Sequence, residues 1–419
     1  MTPPLLQHQY DVTIIGGGIH GAGIAQAAAA AGYQVLLLEK NDWAAGTSSK
    51  SSKLIHGGLR YLQSGQFSLV RESIREREIL LKIAPELVRR NNFYIPLYTD
   101  SHYKSWQLRI GLSLYALFGG NRQDCRYSRL TNVEHQKLKG LKSSGLQQVF
   151  CYADAQTDDR LLTRAVIYSA CELGAHTLSP AKLISAKHVG GGYTLRYQWQ
   201  GEEQEIISRV VINAAGPWAN NVNALVNPPP PKTKVDLVQG THLILSGQLS
   251  DECFYLEAPQ DQRAVFVLPW YGNTLLGTTE TLFEGDPDKV EPKENEKNYL
   301  LAVLKHYFPD FNGEVIDAFA GLRVLPKQRT SAFRRSRETQ LICDRPGAAQ
   351  WISVYGGKLT GYRATAEKVV KLIRKSIGPR RKLADTKNLT LKPNTTDELN
   401  QTTHSNDSVM PHASGQNAG

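Results

Sequence analysis

Tyr10-Asp11-Val12-Thr13-Ile14-Ile15-Gly16-Gly17-Gly18-Ile19-His20-Gly21 is the stretch that decides the fold. Residues 10–15 read as a buried strand, the glycines as a tight turn, and the alanine-rich run after them as a helix. A second apolar strand, residues 34–38, ends at Glu39. Gly16, Gly18 and Gly21 form G-x-G-x-x-G, and Glu39 follows Gly21 by 18 residues. Each part has a task in holding a dinucleotide. Gly16 turns the chain, Gly18 lets a pyrophosphate approach the backbone, and Gly21 lets helix and strand pack closely. The helix N-terminus offers free N–H groups and a positive dipole end to the phosphates. The Glu39 carboxylate is suited to accept hydrogen bonds from the ribose hydroxyls of an adenosine. A glycine pattern alone carries little weight. Strand, turn, helix and acid in this order predict a Rossmann-like unit in an α/β protein.

The rest of the chain bounds the function class. Its 419 residues suffice for roughly two or three domains. No apolar run reaches the ~18 residues of a membrane-spanning helix, and residues 1–9 lack a signal-peptide core. Cys125, Cys151, Cys171, Cys253 and Cys343 are scattered, with no C-x-x-C pair, and read as reduced thiols of a cytosolic protein rather than as a zinc site. No metal site is expected. The formal net charge of +10 would suit nucleic acid, an anionic membrane surface or an anionic substrate. No nucleic-acid-binding module is present in the pattern, so nucleic acid is set aside. The densest basic stretch is Arg323, Lys327, Arg329, Arg334, Arg335 and Arg337.

Further along, Gly46-Thr47-Ser48-Ser49-Lys50-Ser51-Ser52-Lys53 is too polar for a core strand and suits a loop along a cofactor. Helices are predicted over 69–84, 106–118, 158–173, 294–308 and from 361 through Lys371, and strands over 92–98, 177–183, 193–199 and 351–355, with residues 209–218 read as a buried strand ending in small residues. The helix over 106–118 is amphipathic, with Arg109 as its lone charge, and is read as a core helix, the other reading being a surface helix that dips into a lipid interface. Trp218 and Trp270 are read as core residues. Residues 265–268 and 274–277 form a hairpin within a run of period-two strands that follows the stiff connector Pro228 to Pro231. From Asp385 the composition turns to Asn, Thr, Ser, Asp and Gly, which predicts a disordered tail over 385–419.

Several motifs together resemble the FAD-dependent glycerol-3-phosphate dehydrogenases within the D-amino-acid-oxidase-like oxidoreductases. They are Thr47-Ser48-Ser49 with Ser52-Lys53-Leu54-Ile55-His56-Gly57-Gly58-Leu59-Arg60-Tyr61-Leu62; Asn213-Ala214-Ala215-Gly216-Pro217-Trp218; Gly240-Thr241-His242; Gly277-Thr278-Thr279; Gly321-Leu322-Arg323; and Gly356-Gly357-Lys358-Leu359-Thr360-Gly361-Tyr362-Arg363. The resemblance runs from about Tyr10 to Lys375. It departs at Glu280, where the family pattern has an aspartate, and in the polar tail, which stands where family members carry a further helical domain.

The resemblance implies a Rossmann-like FAD domain over 1–91, 150–226 and 338–384, and an antiparallel-sheet substrate domain over 92–149 and 227–337. It implies oxidation of sn-glycerol 3-phosphate to dihydroxyacetone phosphate, a hydride passing to flavin N5 and the electrons to a quinone. An oxidase or dehydrogenase of another small hydroxy or amino acid, and a non-catalytic paralogue, are the alternatives. Gly16, Gly18, Ile19, His20, Gly21, Glu39, Lys40, Thr47, Ser48, Ser49, Ser52, Lys53, Leu54, Ala181, Ala215, Gly216, Gly356, Gly357, Leu359 and Thr360 are the implied cofactor-binding residues. A phosphate dianion needs guanidinium forks, for which Arg60 and Arg337 fit by motif, with Tyr61 as a further donor. His242, with an intrinsic pKa of about 6.5, is read either as the proton acceptor or as a packing group. Arg323 and Lys358 suit stabilisation of the developing alkoxide and the reduced flavin. A quinone acceptor, the positive charge and the 106–118 helix imply a cytoplasmic protein with peripheral attachment to the inner membrane.

Overall fold

In a computed structural model of the chain, residues 7–62, 65–120, 125–135, 138–327 and 338–393 are described. Two sheets meet along one long cleft. The first is centred on the Gln9–Ile15 strand, which pairs in parallel with Val35–Leu38 on one side and with the end of Glu202–Asn213 on the other. His176–Leu178 extends it beyond Val35–Leu38, and Trp351–Tyr355 lies parallel to Glu202–Asn213. All four residues of Val35–Leu38 are buried, as expected of a strand covered on both faces. One cover is the Ile19–Ala30 helix, whose alanines and glycines let the Asp159–Glu172 and Tyr362–Ile377 helices pack closely around it. The other cover is an antiparallel meander, Ala181–Val189, Gly192–Trp199 and the first half of Glu202–Asn213, which brings Leu195 and Tyr197 against Leu36, Leu38 and Trp351.

In the second sheet the order is Thr281–Phe283, Val235–Leu245, Asn273–Gly277, Ala264–Trp270, Cys253–Glu257, Val88–Tyr98, Leu146–Thr157 and Leu54–Ile55, with Val315–Pro326 also along Val235–Leu245. Its pairings are antiparallel except where Cys253–Glu257 runs parallel to Val88–Tyr98. Alternation along the strands sorts side chains to two faces. Leu243, Leu245, Val265, Val267 and Leu276 turn back onto the Glu294–Tyr307 helix. Ile244, Phe266, Leu275 and Phe319 turn forward, onto a core shared with the Phe67–Ile83 and Ser105–Phe118 helices.

Several expectations are corrected. The Leu146–Thr157 strand and residues 88–91 pair within the second sheet, not with the Rossmann-like unit. Residues 177–183 do not form one strand, because Ser179-Pro180 separates His176–Leu178 from Ala181–Val189. The Ser105–Phe118 helix is a core helix on one face only: Leu112, Tyr115 and Ala116 are buried, while Trp106, Ile110 and Leu117 are 62%, 53% and 63% exposed. Nor is residue 385 the start of a disordered tail. Thr386 is buried, and Leu391 is 1% exposed with its amide bonded to the Ile83 carbonyl. Residues 394–419 lie outside the described residues.

Candidate active site

The cleft holds a cavity of about 870 Å³, walled by the carboxyl ends of the parallel strands, residues 45–61 and the front face of the second sheet. Ligands in open α/β sheets bind at such strand ends. The glycine turn is built by close approach. Gly16 has φ of 110°, and a Cβ there would sit 2.7 Å from the Ala214 carbonyl oxygen. A Cβ on Gly21 would sit 1.8 Å from the Gly16 oxygen, so Gly21 serves packing and does not line the cavity. At Gly18 a Cβ would meet only Ser48 Oγ, at 3.1 Å, and the cavity is otherwise open there. The Ile19 amide donates to Ser48 Oγ at 2.8 Å, and Glu39 Oε2 accepts from the Gly17 amide at 2.7 Å.

Gly16, Gly18, Ile19, His20, Glu39, Lys40, Thr47, Ser48, Ser52 and Leu54 line the cavity, as do Ala181, Ala215, Gly216, Gly356, Gly357, Leu359 and Thr360. His20 packs against Gly357, where a Cβ would lie 2.2 Å from His20 Nε2, and burial lowers the pKa of His20 to about 4. Lys40 makes an ion pair with Asp288 at 2.7 Å and lies 4.2 Å over the Trp218 ring. Trp218 is therefore part of the cavity wall rather than the core. Nothing in the spacing of Trp218 signalled this; the signal was its place directly after Asn213-Ala214-Ala215-Gly216-Pro217 at a parallel strand end.

Two expected cofactor residues turn away from the cavity. Ser49 Oγ bonds its own turn at the Gly46 oxygen, 3.3 Å away. Lys53 has φ of 59°, and its ammonium is buried against Asp159 Oδ1 at 2.5 Å and the Ser49 carbonyl at 2.6 Å. Lys53 and Asp159 thus tether the loop from behind, while Thr47 Oγ1 donates to the Leu322 carbonyl at 2.8 Å on its other side.

Pairing of Val235–Leu245 with Val315–Pro326 sets Val238 opposite Arg323, Gly240 opposite Gly321 and His242 opposite Phe319. Directly opposed residues share a face, so His242 and Arg323 both look into the cleft across two glycines. His242 Nε2 is 2.9 Å from Ser52 Oγ, and the imidazole stacks on Phe319 with centroids 5.0 Å apart. Burial, then the charges of Arg323 and Lys53, hold the His242 pKa well below its ordinary value. Arg323 donates to Thr278 Oγ1 at 3.1 Å and to the Thr279 carbonyl at 3.2 Å, with Glu280 at 3.8 Å.

Tyr61 stands between two cations, the Lys358 ammonium 4.5 Å and the Arg60 guanidinium 5.0 Å from its ring centroid. Lys358 also donates to Ser73 Oγ at 2.8 Å. Burial opposes the charge on Arg60, but Tyr61, Glu280 and Tyr255 around it hold its pKa above the ordinary value. The loop carrying Arg60 is anchored underneath by Asp154, which takes hydrogen bonds from Tyr115, Arg77 and the Gly57 amide. Arg60, Tyr61, His242, Arg323 and Lys358 all line the one cavity. Arg337 lies outside the described residues, as do Arg329, Arg334 and Arg335. Tyr255 and Arg263 also line it and were not singled out from the sequence, and Lys50 and Glu280, noted in the sequence without a role, line it as well. Among the described residues no His, Cys, Asp or Glu cluster could hold a metal ion, and no helix is long and apolar enough to cross a membrane.

Residues 11–367 match the family described as DAO, FAD dependent oxidoreductase. The chain belongs to this family. It is 36% identical over 366 residues to the D-erythritol 1-phosphate dehydrogenase of Brucella abortus, covering 85% of this chain and 72% of that protein. It is 37% identical over 373 residues to the glycerol-3-phosphate dehydrogenase of Pseudomonas tolaasii, covering 87% and 71%. The glycerol-3-phosphate dehydrogenase of Bacillus halodurans, solved in complex with FAD, superposes with a TM-score of 0.73 at 25% identity over 95% of this chain and 71% of that one. The glycine oxidase of Geobacillus kaustophilus shares the fold at a TM-score of 0.69 and 19% identity. FAD is the cofactor of this DAO-family oxidoreductase. The cavity fits it: the space beside Gly18, the Ile19–Ala30 helix N-terminus and the Glu39 carboxylate meet the pyrophosphate and ribose requirements.

Proposed function

We propose that the protein is an FAD-dependent dehydrogenase of a phosphorylated polyol, oxidising sn-glycerol 3-phosphate to dihydroxyacetone phosphate with a quinone as electron acceptor. The observation that carries the reading is that Arg60, Tyr61, Lys358, Arg323 and His242 all line the FAD cavity, from the loop side and from the face of the second sheet. Single carboxylates need one clamp; a phosphate dianion beside a reacting alcohol calls for several cations. The chemistry that FAD supplies when bound is acceptance of a hydride from the carbinol carbon.

The chain's own residues divide the remaining work. Arg60, with the Tyr61 hydroxyl, holds the phosphate. Arg323 and Lys358 stabilise negative charge as it develops on the alcohol oxygen. His242 is neutral near pH 7 because burial and its cationic neighbours lower its pKa. In the Nδ1–H tautomer its Nε2 accepts the Ser52 hydroxyl, and this nitrogen takes the substrate proton directly or through Ser52 Oγ. In this role Arg337 would complete the phosphate clamp.

D-erythritol 1-phosphate is the second substrate reading, favoured by the relative that acts on it at 36% identity. Peripheral attachment at the cytoplasmic face of a membrane is supported by the exposed Trp106, Ile110 and Leu117 beside exposed Lys104 and Arg109. Anaerobic addition of glycerol 3-phosphate or erythritol 1-phosphate to the yellow protein should bleach the flavin, and glycine or D-alanine should not. Bleaching by the amino acids alone would overturn the proposal.

A further inference from the structure

Gly240 and His242 line the cavity, so by the period of two Gln239 and Thr241 face the opposite way. Facing them, Thr278, Thr279 and Glu280 line the cavity, but the Thr279 hydroxyl, like that of Thr281, turns back to the carboxylate of Glu296. All four back-facing side chains end on one carboxylate in the first turn of the Glu294–Tyr307 helix. Glu296 Oε2 accepts from Gln239 Nε2 at 2.5 Å and Thr241 Oγ1 at 2.7 Å. Glu296 Oε1 accepts from Thr279 Oγ1 at 2.7 Å and Thr281 Oγ1 at 2.9 Å. The Lys293 amide adds a fifth bond at 3.3 Å. Glu296 is 3% exposed, and no cation pairs with it among the described residues. Burial alone would raise its pKa; the hydrogen bonds from Thr279, Thr241 and Thr281 outweigh burial and lower it.

A helix cap needs only one of these five bonds. The others join the Val235–Leu245 strand, which carries His242, to residues 279–281 at the start of Thr281–Phe283, beside the contacts that hold Arg323. Thr241 immediately precedes His242. Thr279 follows Thr278, and those two residues hold both ends of the Arg323 fork. The Thr241 amide also donates to Thr279 Oγ1 at 2.8 Å, closing the clamp. We propose that Glu296 is a positioning residue that locks Thr241 to Thr279 from behind the sheet, and thereby aims His242 and Arg323 into the cavity. An ionised carboxylate satisfied by hydroxyls forms a network in which every member has one arrangement. Valine and leucine at these positions could fill the same space without specifying it.

This inference rests on the proposed dehydrogenase chemistry. The test uses the full-length, flavin-loaded protein with Glu296→Ala and Glu296→Gln. In Glu296→Ala the anaerobic rate of flavin reduction by the phosphorylated polyol should fall about tenfold or more, with half-saturation moving less than about threefold. Glu296→Gln, which keeps one acceptor oxygen, should recover part of the rate. Amide hydrogen exchange should quicken in 239–243 and 277–281 and stay unchanged in 9–15. An unchanged rate and unchanged exchange in flavin-loaded Glu296→Ala would overturn the proposal. So would a loss shared equally by rate, half-saturation and thermal stability. If Glu296→Ala does not fold, Thr241→Val carries the same test. A wild-type flavin bleached by neither phosphate ester would refute the dehydrogenase reading, and the exchange comparison would then decide the clamp alone.

Discussion

Cutting one member of the Lys53–Asp159 pair separates a structural lysine from a cofactor-binding one. The two side chains are 6% and 0% exposed, with Nζ and Oδ1 2.5 Å apart. At an effective dielectric of about 20 the attraction at that distance is roughly 6–7 kcal/mol. Desolvating each ion costs several kcal/mol, so the pair as a whole contributes little compared with two apolar groups. One partner without the other is a different matter. Lys53→Met leaves a buried carboxylate with only the Ser51 and Arg160 amides. Asp159→Asn leaves the ammonium with the Ser49 carbonyl and the faces of Trp270 and Phe319. Each single change should destabilise by about 3–5 kcal/mol. The Lys53→Met/Asp159→Asn double variant should lie well above the sum of the singles, with a coupling of about 2 kcal/mol or more. The assay is denaturant unfolding of the flavin-loaded protein, followed by circular dichroism and by release of FAD fluorescence. Strict additivity would refute the tether. So would a Lys53→Met protein of normal stability that loses FAD, which would return Lys53 to the cofactor.

Four other outcomes follow from the site. Arg60→Ala should raise KM for the phosphorylated substrate by about 10–100-fold, the worth of charge-assisted hydrogen bonds to phosphate, with FAD content intact; an unchanged KM would remove Arg60 from the clamp. Gly18→Val should give a folded, colourless protein, because a Cβ there meets only Ser48 Oγ at 3.1 Å, whereas Gly21→Ala should fail to fold around the 1.8 Å clash with Gly16; a yellow Gly18→Val protein would contradict this. Because burial and its cationic neighbours hold the His242 pKa well below 6.5, kcat should show no limb near 6.5, while kcat/KM bends near the second phosphate ionisation of about 6; a kcat limb at 6.5 would show that the His242 pKa is not lowered in the complex. Finally, His20 binds its proton only near pH 4 when folded and near 6.5 when unfolded. Its share of stability is therefore present above pH 6.5 and lost as pH falls toward 4, on the order of 3–4 kcal/mol for a pKa lowered from 6.5 to about 4, and His20→Leu should flatten that part of the stability curve.

What could be read from the sequence was whatever a short window controls. The glycine turn, Glu39 at the second strand end and the hairpin around Trp270-Tyr271-Gly272-Asn273 each need only neighbours in sequence to specify them. The misread residues needed something from far away or something that residue type does not announce. Lys53 takes φ of 59°, a conformation ordinarily left to Gly or Asn, so its side chain turns from the cofactor loop to Asp159. A tail judged by composition hides anchors that composition does not show: Thr386 is buried and accepts from Arg363, and Leu391 is buried with its amide bonded to the Ile83 carbonyl.

The same contrast explains why the wall of the site was legible and its support was not. Gly240, His242, Gly321 and Arg323 sit in motifs whose residue types are odd for a strand, with glycines where a β-branched residue would pack better. Such exceptions to local preference gather where a ligand must approach closely. Gln239, Thr241, Thr279 and Thr281 obey the preference, since threonine and period-two polarity are ordinary in strands, and Glu296 reads as an ordinary first-turn acid of a helix. Only their convergence on one buried carboxylate is unusual, and convergence is a property of the paired sheet and the helix behind it. Residues that touch the ligand therefore stand out by what they are. Residues that aim them stand out only by where the fold puts them.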